Sequence, residues 1–241
     1  MIIYKTYKYG TVNSATVPPY TVTIPNVICA AGDLIFVRFF LLGTFDVIGW
    51  PSGFTLVKSY HDNNIPVYTH YLFAKIAGSS EPTEYTFTLD RWVSSLTYHV
   101  VNFAGVNQNQ PIFGIVEYIG TGGTASLSGV NLQQGSIVVA IAALTGSGYF
   151  NSSDNWPAIY TYPAGGIFYQ IFGGASQTEN PIVFNTGYTD NKWNFWLIEL
   201  KDANPIIYDT IFVNWLLTDE SGSKLWVKIN GEWKPAKITI I

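Results

Sequence analysis

Apolar residues in this chain gather in short β-branched or aromatic runs, recurring about every 8 to 15 residues and bounded by Gly, Pro, Asn or Asp. That spacing is the signature of a sandwich or barrel. It predicts strands at 20–24, 34–42, 54–60, 68–76, 84–89 and 95–103, then a second set at 125–127, 136–144, 158–162, 167–172, 182–184 and 193–200. No window holds a 3.6-residue apolar stripe beyond three turns, so helix is expected to be minor.

The two sets match in order. PNVICAAGDLIFVRFFLLG faces GVNLQQGSIVVAIAALTG with Gly32 against Gly135, 103 residues apart, and Trp50-Pro51 faces Trp156-Pro157 at 106. THYLFAKIAGSSEP faces FYQIFGGASQTENP with Pro82 against Pro181 at 99, and Trp92 faces Trp193 at 101. The chain therefore reads as an all-β, antiparallel sandwich of jelly-roll or immunoglobulin-like type over residues 1–203, built from two related halves at about 20–115 and 116–203. Each half alone is too open-edged to bury both faces of its sheet, and packing the two together closes one core.

After Leu200 the composition changes: KDANP is linker-like, and residues 204–241 have no counterpart in either half. Asn230-Gly231 between LWVKI and EWKPAKITI is the strongest short hairpin signal, because both turn positions need positive φ. A two-residue loop sets Ile229 opposite Glu232 and Lys228 opposite Trp233, so Trp226, Lys228 and Trp233 share one face and Leu225, Val227 and Ile229 the other. A two-stranded hairpin is marginal alone in water, which makes Trp226, Lys228 and Trp233 candidate assembly contacts.

Charged residues are 12% of the 241, aromatic residues 16% and hydrophobic residues 48%, with a net charge of -4. Disorder needs low hydrophobicity and high net charge, so it is excluded as the general state. Twelve Lys and Arg against 16 Asp and Glu, with no basic run, leave no source for phosphate neutralisation, and nucleic acid is not an expected partner. The single Cys29 excludes an intramolecular disulfide. No signal-peptide pattern opens the sequence, and its longest apolar run, Ile137–Leu144, is far short of the roughly twenty residues of a membrane helix. Membrane insertion is not expected. A solvated face rich in Ser, Thr, Asn, Gln and Gly suits an assembly, so a homo-oligomer is.

GxSxG, P-loop, HExxH and EF-hand patterns are absent, and the GxGxxA string at Gly120, Gly122 and Ala125 precedes no helix and reads as a loop. His61, His70 and His99 lack metal-ligand spacing, and His70 and His99 read as core or pleat positions. Asp33, Asp46, Glu117, Asp154 and Glu199 could supply a carboxylate dyad, but nothing selects a pair. No catalytic residue, metal or cofactor is expected, and the chain does not read as an enzyme. Trp50, Trp92, Trp156, Tyr160 and Tyr162 sit beside turns with amides nearby, and are candidate glycan or interface contacts. Glu81-Pro82 reads as a turn before the YTFT strand, and Asp33 as a turn residue bonding backbone amides.

The order GDLIFVRFF, WPSGF, YLFAKIAGSSEPTEYTFTL and YHVVNFAGVNQNQPI resembles the repeated β-sandwich of tail and other virion proteins of tailed bacteriophages. LWVKINGEWKPAKI resembles the short Trp-containing hairpin of many phage tail and baseplate proteins. In the second half Glu-Pro becomes Glu179-Asn180-Pro181 and FAGV becomes LIELKDA, so the resemblance is looser there. It implies a structural virion protein assembled in the host cytoplasm: a tail-fibre, tip or baseplate component, partnered by other virion proteins and touching a host-surface glycan. A capsid decoration or head-fibre protein is the alternative. A carbohydrate-binding module of a secreted enzyme is a third reading, disfavoured by the hairpin and the missing signal peptide.

Overall fold

The computed structural model describes residues 2–25, 27–62, 67–127, 130–131, 137–144, 151–152, 158–162, 165–171, 178–179, 182–186, 192–203, 225–229 and 232–236. They are all-β, with no helix among them. The first eight strands are β1 (Ile3–Val12), β2 (Tyr20–Ile24), β3 (Leu34–Leu42), β4 (Val47–Gly49), β5 (Thr55–Asp62), β6 (Tyr68–Ile76), β7 (Tyr85–Leu89) and β8 (Leu96–Ala104). They form a five-stranded sheet, β1-β8-β3-β6-β5, facing a three-stranded sheet, β2-β7-β4.

The next ten are β9 (Ile112–Thr121), β10 (Thr124–Leu127), β11 (Val130–Asn131), β12 (Ile137–Leu144), β13 (Asn151–Ser152), β14 (Ala158–Tyr162), β15 (Gly165–Ile171), β16 (Thr178–Glu179), β17 (Ile182–Asn185) and β18 (Lys192–Leu200). Here β9-β18-β12-β15-β14 faces β10-β17-β13, the same order strand for strand, with β11-β16 as a small additional pair. Eight antiparallel strands wound into two facing sheets in this order make a jelly roll, and the chain contains two. Sheet membership places Ile3–Val12 in the first sandwich and begins the second at Ile112.

Register fixes the equivalences. Leu34 pairs with Ile76 and Phe103, and Ile137 pairs with Ile171 and Leu200. Even the irregularity of the outer strand repeats, between Leu56 and Lys58 in β5 and between Ala158 and Tyr160 in β14. Gly32 against Gly135 is thus the correct alignment for β3 and β12, but two other landmarks shift. Ile76 corresponds to Ile171, whereas aligning Pro82 with Pro181 sets it four residues further on, because the second connection is longer. Trp193 corresponds to Leu96, not Trp92: Trp193 is a buried strand residue and Trp92 an exposed one between β7 and β8.

The central strands are apolar on both faces because both are covered. In β3, Ile35, Val37 and Phe39 point into the first sandwich with Phe73, Phe87 and Val100, while Leu34 and Phe36 point the other way. In β12, Val138, Ala140 and Ala142 face Phe184 and Phe195, while Ile137, Val139 and Ile141 meet Leu34, Phe36 and Phe103. The two five-stranded sheets therefore pack against one another, giving four layers of three, five, five and three strands and a seam between the halves. Each large side chain fully buried there is worth about 1.5–3 kcal/mol. The segments leaving the two sandwiches also pair: Asn107 N–H donates to Lys201 O at 2.7 Å and Ala203 N–H to Gly105 O at 2.9 Å.

In each half a glycine of the first strand lies beneath a large ring of the last. Gly10 pairs with Tyr98 and Gly120 with Trp193, and a Cβ on Gly120 would stand 2.3 Å from Trp193 Cζ2. A Gly120→Val variant is expected to lose about 2 kcal/mol or more from overpacking. Gly114 on the same strand has no atom within 4 Å of a built Cβ, so Gly114→Ala should stay within about 0.5 kcal/mol. Thermal melts of the two variants read the difference. The GxGxxA string is thus not one loop: Gly120 lies near the end of β9, Gly122 turns with φ of 117° and Ala125 is in β10.

Candidate functional site

Trp50 and Trp92 are 41% and 50% exposed. Trp50 follows β4 and packs on Phe73, with ring centroids 5.3 Å apart, at the open edge of the first sandwich. Trp92 lies in the β7–β8 connection, so the two come from different loops. Tyr160 and Tyr162 lie within edge strand β14, at the register positions that Lys58 and Tyr60 hold in β5, and not at a loop tip. Trp156 lies outside the described residues.

Trp226, Lys228 and Trp233 are in the two-stranded hairpin of β19 (Leu225–Ile229) and β20 (Glu232–Ala236). Ile229 pairs with Glu232 and Lys228 with Trp233, the register that a two-residue Asn230-Gly231 turn dictates. Trp226, Lys228 and Trp233 share a face by that register. Pro235 pairs with Trp226 in a sheet where both strands are edges, a position that spares its missing N–H.

Near Trp50, three polar groups converge that the sequence spacing does not signal. Tyr71 Oη donates to Asp46 Oδ1 at 2.7 Å and lies 3.1 Å from His61 Nε2, which is 3.6 Å from Asp46 Oδ1. Burial, then the Asp46 carboxylate, raises the Tyr71 phenol, so this hydroxyl stays a donor. The Asp46 backbone N–H in turn donates to Asp90 Oδ1, and Asp90 is held by Arg91. These bonds tie the β3–β4 and β7–β8 connections together.

Glu81 does more than precede a proline. Its carboxylate, 9% exposed, accepts from Lys75 Nζ at 2.7 Å, Tyr85 Oη at 2.6 Å and the Gly78 N–H at 2.6 Å. Burial alone would raise this carboxyl; those three donors outweigh it and hold it below the ordinary value. A depressed folded value contributes stability above the unfolded value of 4.5, and loses it as pH falls through the folded one. Glu81→Gln is therefore expected to cost about 1–3 kcal/mol at pH 7 and much less at pH 3, read by urea titration at both. Asp33 likewise accepts from the Ala30 N–H at 2.8 Å, as the turn reading requires, and from Lys5 at 3.1 Å.

The densest polar group lies inside the seam. Arg38, 1% exposed, donates from Nε to His70 Nε2 at 2.6 Å and from Nη2 to Ala142 O of the second sandwich at 2.7 Å. The His70 ring lies on the Trp196 indole at 3.9 Å between centroids and 13° from parallel. Trp196 Nε1 and Asn194 Nδ2 both donate to Glu117 Oε1 at 2.9 Å, and Lys58 Nζ approaches Glu117 Oε2 at 2.9 Å. His99, 3% exposed, meets Tyr7 Oη at 2.9 Å. Burial, then Arg38, pushes both His70 and His99 well below the ordinary imidazole value, so both are neutral at pH 7. Their reading as core positions is correct.

No carboxylate dyad stands out: Asp33, Asp46 and Glu117 are engaged as above, Glu199 is buried in β18, and Asp154 lies outside the described residues. No group of three His, Cys, Asp or Glu among the described residues could hold a metal ion. Comparison of the chain with protein-family models, curated proteins and solved structures gives no match.

Proposed function

We propose that the chain is a structural component of a tailed-bacteriophage virion, placed in the tail as a fibre, tip or baseplate part. The observation that carries this reading is the hairpin register, Leu225 with Ala236 through Ile229 with Glu232, in a segment outside both jelly rolls. Two edge strands with Trp on one face gain stability by packing on a larger surface, and a neighbouring subunit supplies one. Jelly rolls also recur in viral capsid proteins and lectins, which supports the reading only as analogy. The exposed Trp50 and Trp92 favour contact with a host-surface glycan as part of the same role.

Antibody against the full chain, applied to intact particles from the source culture and viewed by electron microscopy, tests the proposal. Label on the tail is expected. Label on the head transfers the chain to the capsid-decoration reading, and particles that carry no label overturn the virion reading.

A further inference from the structure

The seam between the two sandwiches holds an ionisable set that the fold itself does not need. The register positions of Arg38, His70 and His99 are occupied in the second jelly roll by Ile141, Gly165 and Trp196, and the same strands form there. What Arg38, His70 and His99 have in common is the seam. His70 Nε2 accepts from Arg38 Nε, so its proton is on Nδ1. A second proton has nowhere to go but Nε2, which would turn that acceptor into a donor facing a guanidinium.

We propose that this seam is an acid-sensitive latch: protonation of His70 and His99 beside Arg38 releases the two five-stranded sheets from one another while each jelly roll keeps its own core. The interior of the first sandwich, around Phe39, Phe73 and Phe87, and that of the second, around Phe184 and Phe195, lie on the far faces of those sheets.

Arg38 on β3 stands beside both imidazoles and opposes their protonation, and His99 opposes that of His70; Tyr60 pairs with His70 on β5, and Tyr7 and Tyr9 flank His99 on β1. Across the seam, Asn194 favours the protonated His70 but is outweighed by burial and Arg38. The carboxylates Glu117 and Asp62, each paired with a lysine of the other half, are engaged by Lys58 and Lys192 at 2.9 and 3.5 Å. An imidazole held neutral when closed and free to protonate when open shifts the equilibrium toward opening by up to about tenfold per pH unit below 6.5. Two of them give about a hundredfold per unit, or about ten-thousandfold between pH 6.5 and 4.5.

The test takes the full chain from pH 7.5 to 4.5 at constant ionic strength, with small-angle scattering, an apolar-surface dye and far-ultraviolet circular dichroism read together. The expected result is a larger maximum dimension and dye binding below pH 6.5 with the β spectrum unchanged. In the His70→Gln/His99→Gln double variant, whose amides can still bond Arg38 and Tyr7, this transition should vanish or move down by at least one pH unit. No transition in the wild type, loss of the β spectrum along with dye binding, or an identical profile in the variant would overturn the latch. If the variant does not fold at pH 7.5, nuclear magnetic resonance of the wild-type imidazoles decides. Titration of His70 and His99 in step with the expansion supports the latch, and titration without expansion overturns it.

Discussion

Replacing Trp196 by alanine is expected to lower the unfolding free energy by about 3–5 kcal/mol, the range for truncating a large aromatic side chain in a packed core. Trp196 heads the largest fully buried side chains, and its indole belongs to the seam cluster with Leu34, Phe36, Val139 and Ile198. Truncation also removes the stack on His70 and the hydrogen bond to Glu117, leaving a carboxylate with one donor fewer. Trp92→Ala, at a site 50% exposed, should shift the denaturant midpoint little. Equal effects at the two tryptophans would mean that the sheets do not pack as described.

Arg38 separates volume from polarity in the same seam. Arg38→Ala opens a cavity and strips partners from His70 Nε2 and the Ala142 carbonyl, at an expected cost of about 2–4 kcal/mol. Arg38→Met refills most of the space with an apolar chain but leaves the same two acceptors without Arg38, so it should recover the cavity share of that loss and keep about 1–3 kcal/mol of it. Urea unfolding of both variants at pH 7.5 gives the comparison. A methionine variant as unstable as the alanine one would show that the hydrogen bonds themselves hold the two sandwiches together.

Legibility in the sequence follows burial. β3 and β6 match their predicted bounds to the residue because sheets cover both faces, so LIFVRFFLL reads as one apolar run. β1 and β9 have no predicted counterpart, and they are equivalent edge strands: IYKTYKYGTV carries lysines, and IFGIVEYIGT is broken by Gly114 and Glu117. Matching Trp92 with Trp193 fails because residue type alone does not distinguish a ring at the surface from one that covers a strand glycine. His70 and His99 are legible as buried. Their convergence with Arg38, Trp196 and Glu117 is not, since it depends on which face of each strand meets a sheet about a hundred residues away. The hairpin register is legible in full because Asn-Gly leaves the pairing no freedom.

The central claim, that this chain is a building block joined to its neighbours through the hairpin, is tested most directly by the solution mass of the full chain and of a chain ending at Asp202. Sedimentation and light scattering at matched concentrations are predicted to give a defined oligomer for the full chain and a monomer for the shortened one, with the same far-ultraviolet β spectrum in both. An oligomer of the same order in both chains, or a monomer in both, would contradict it.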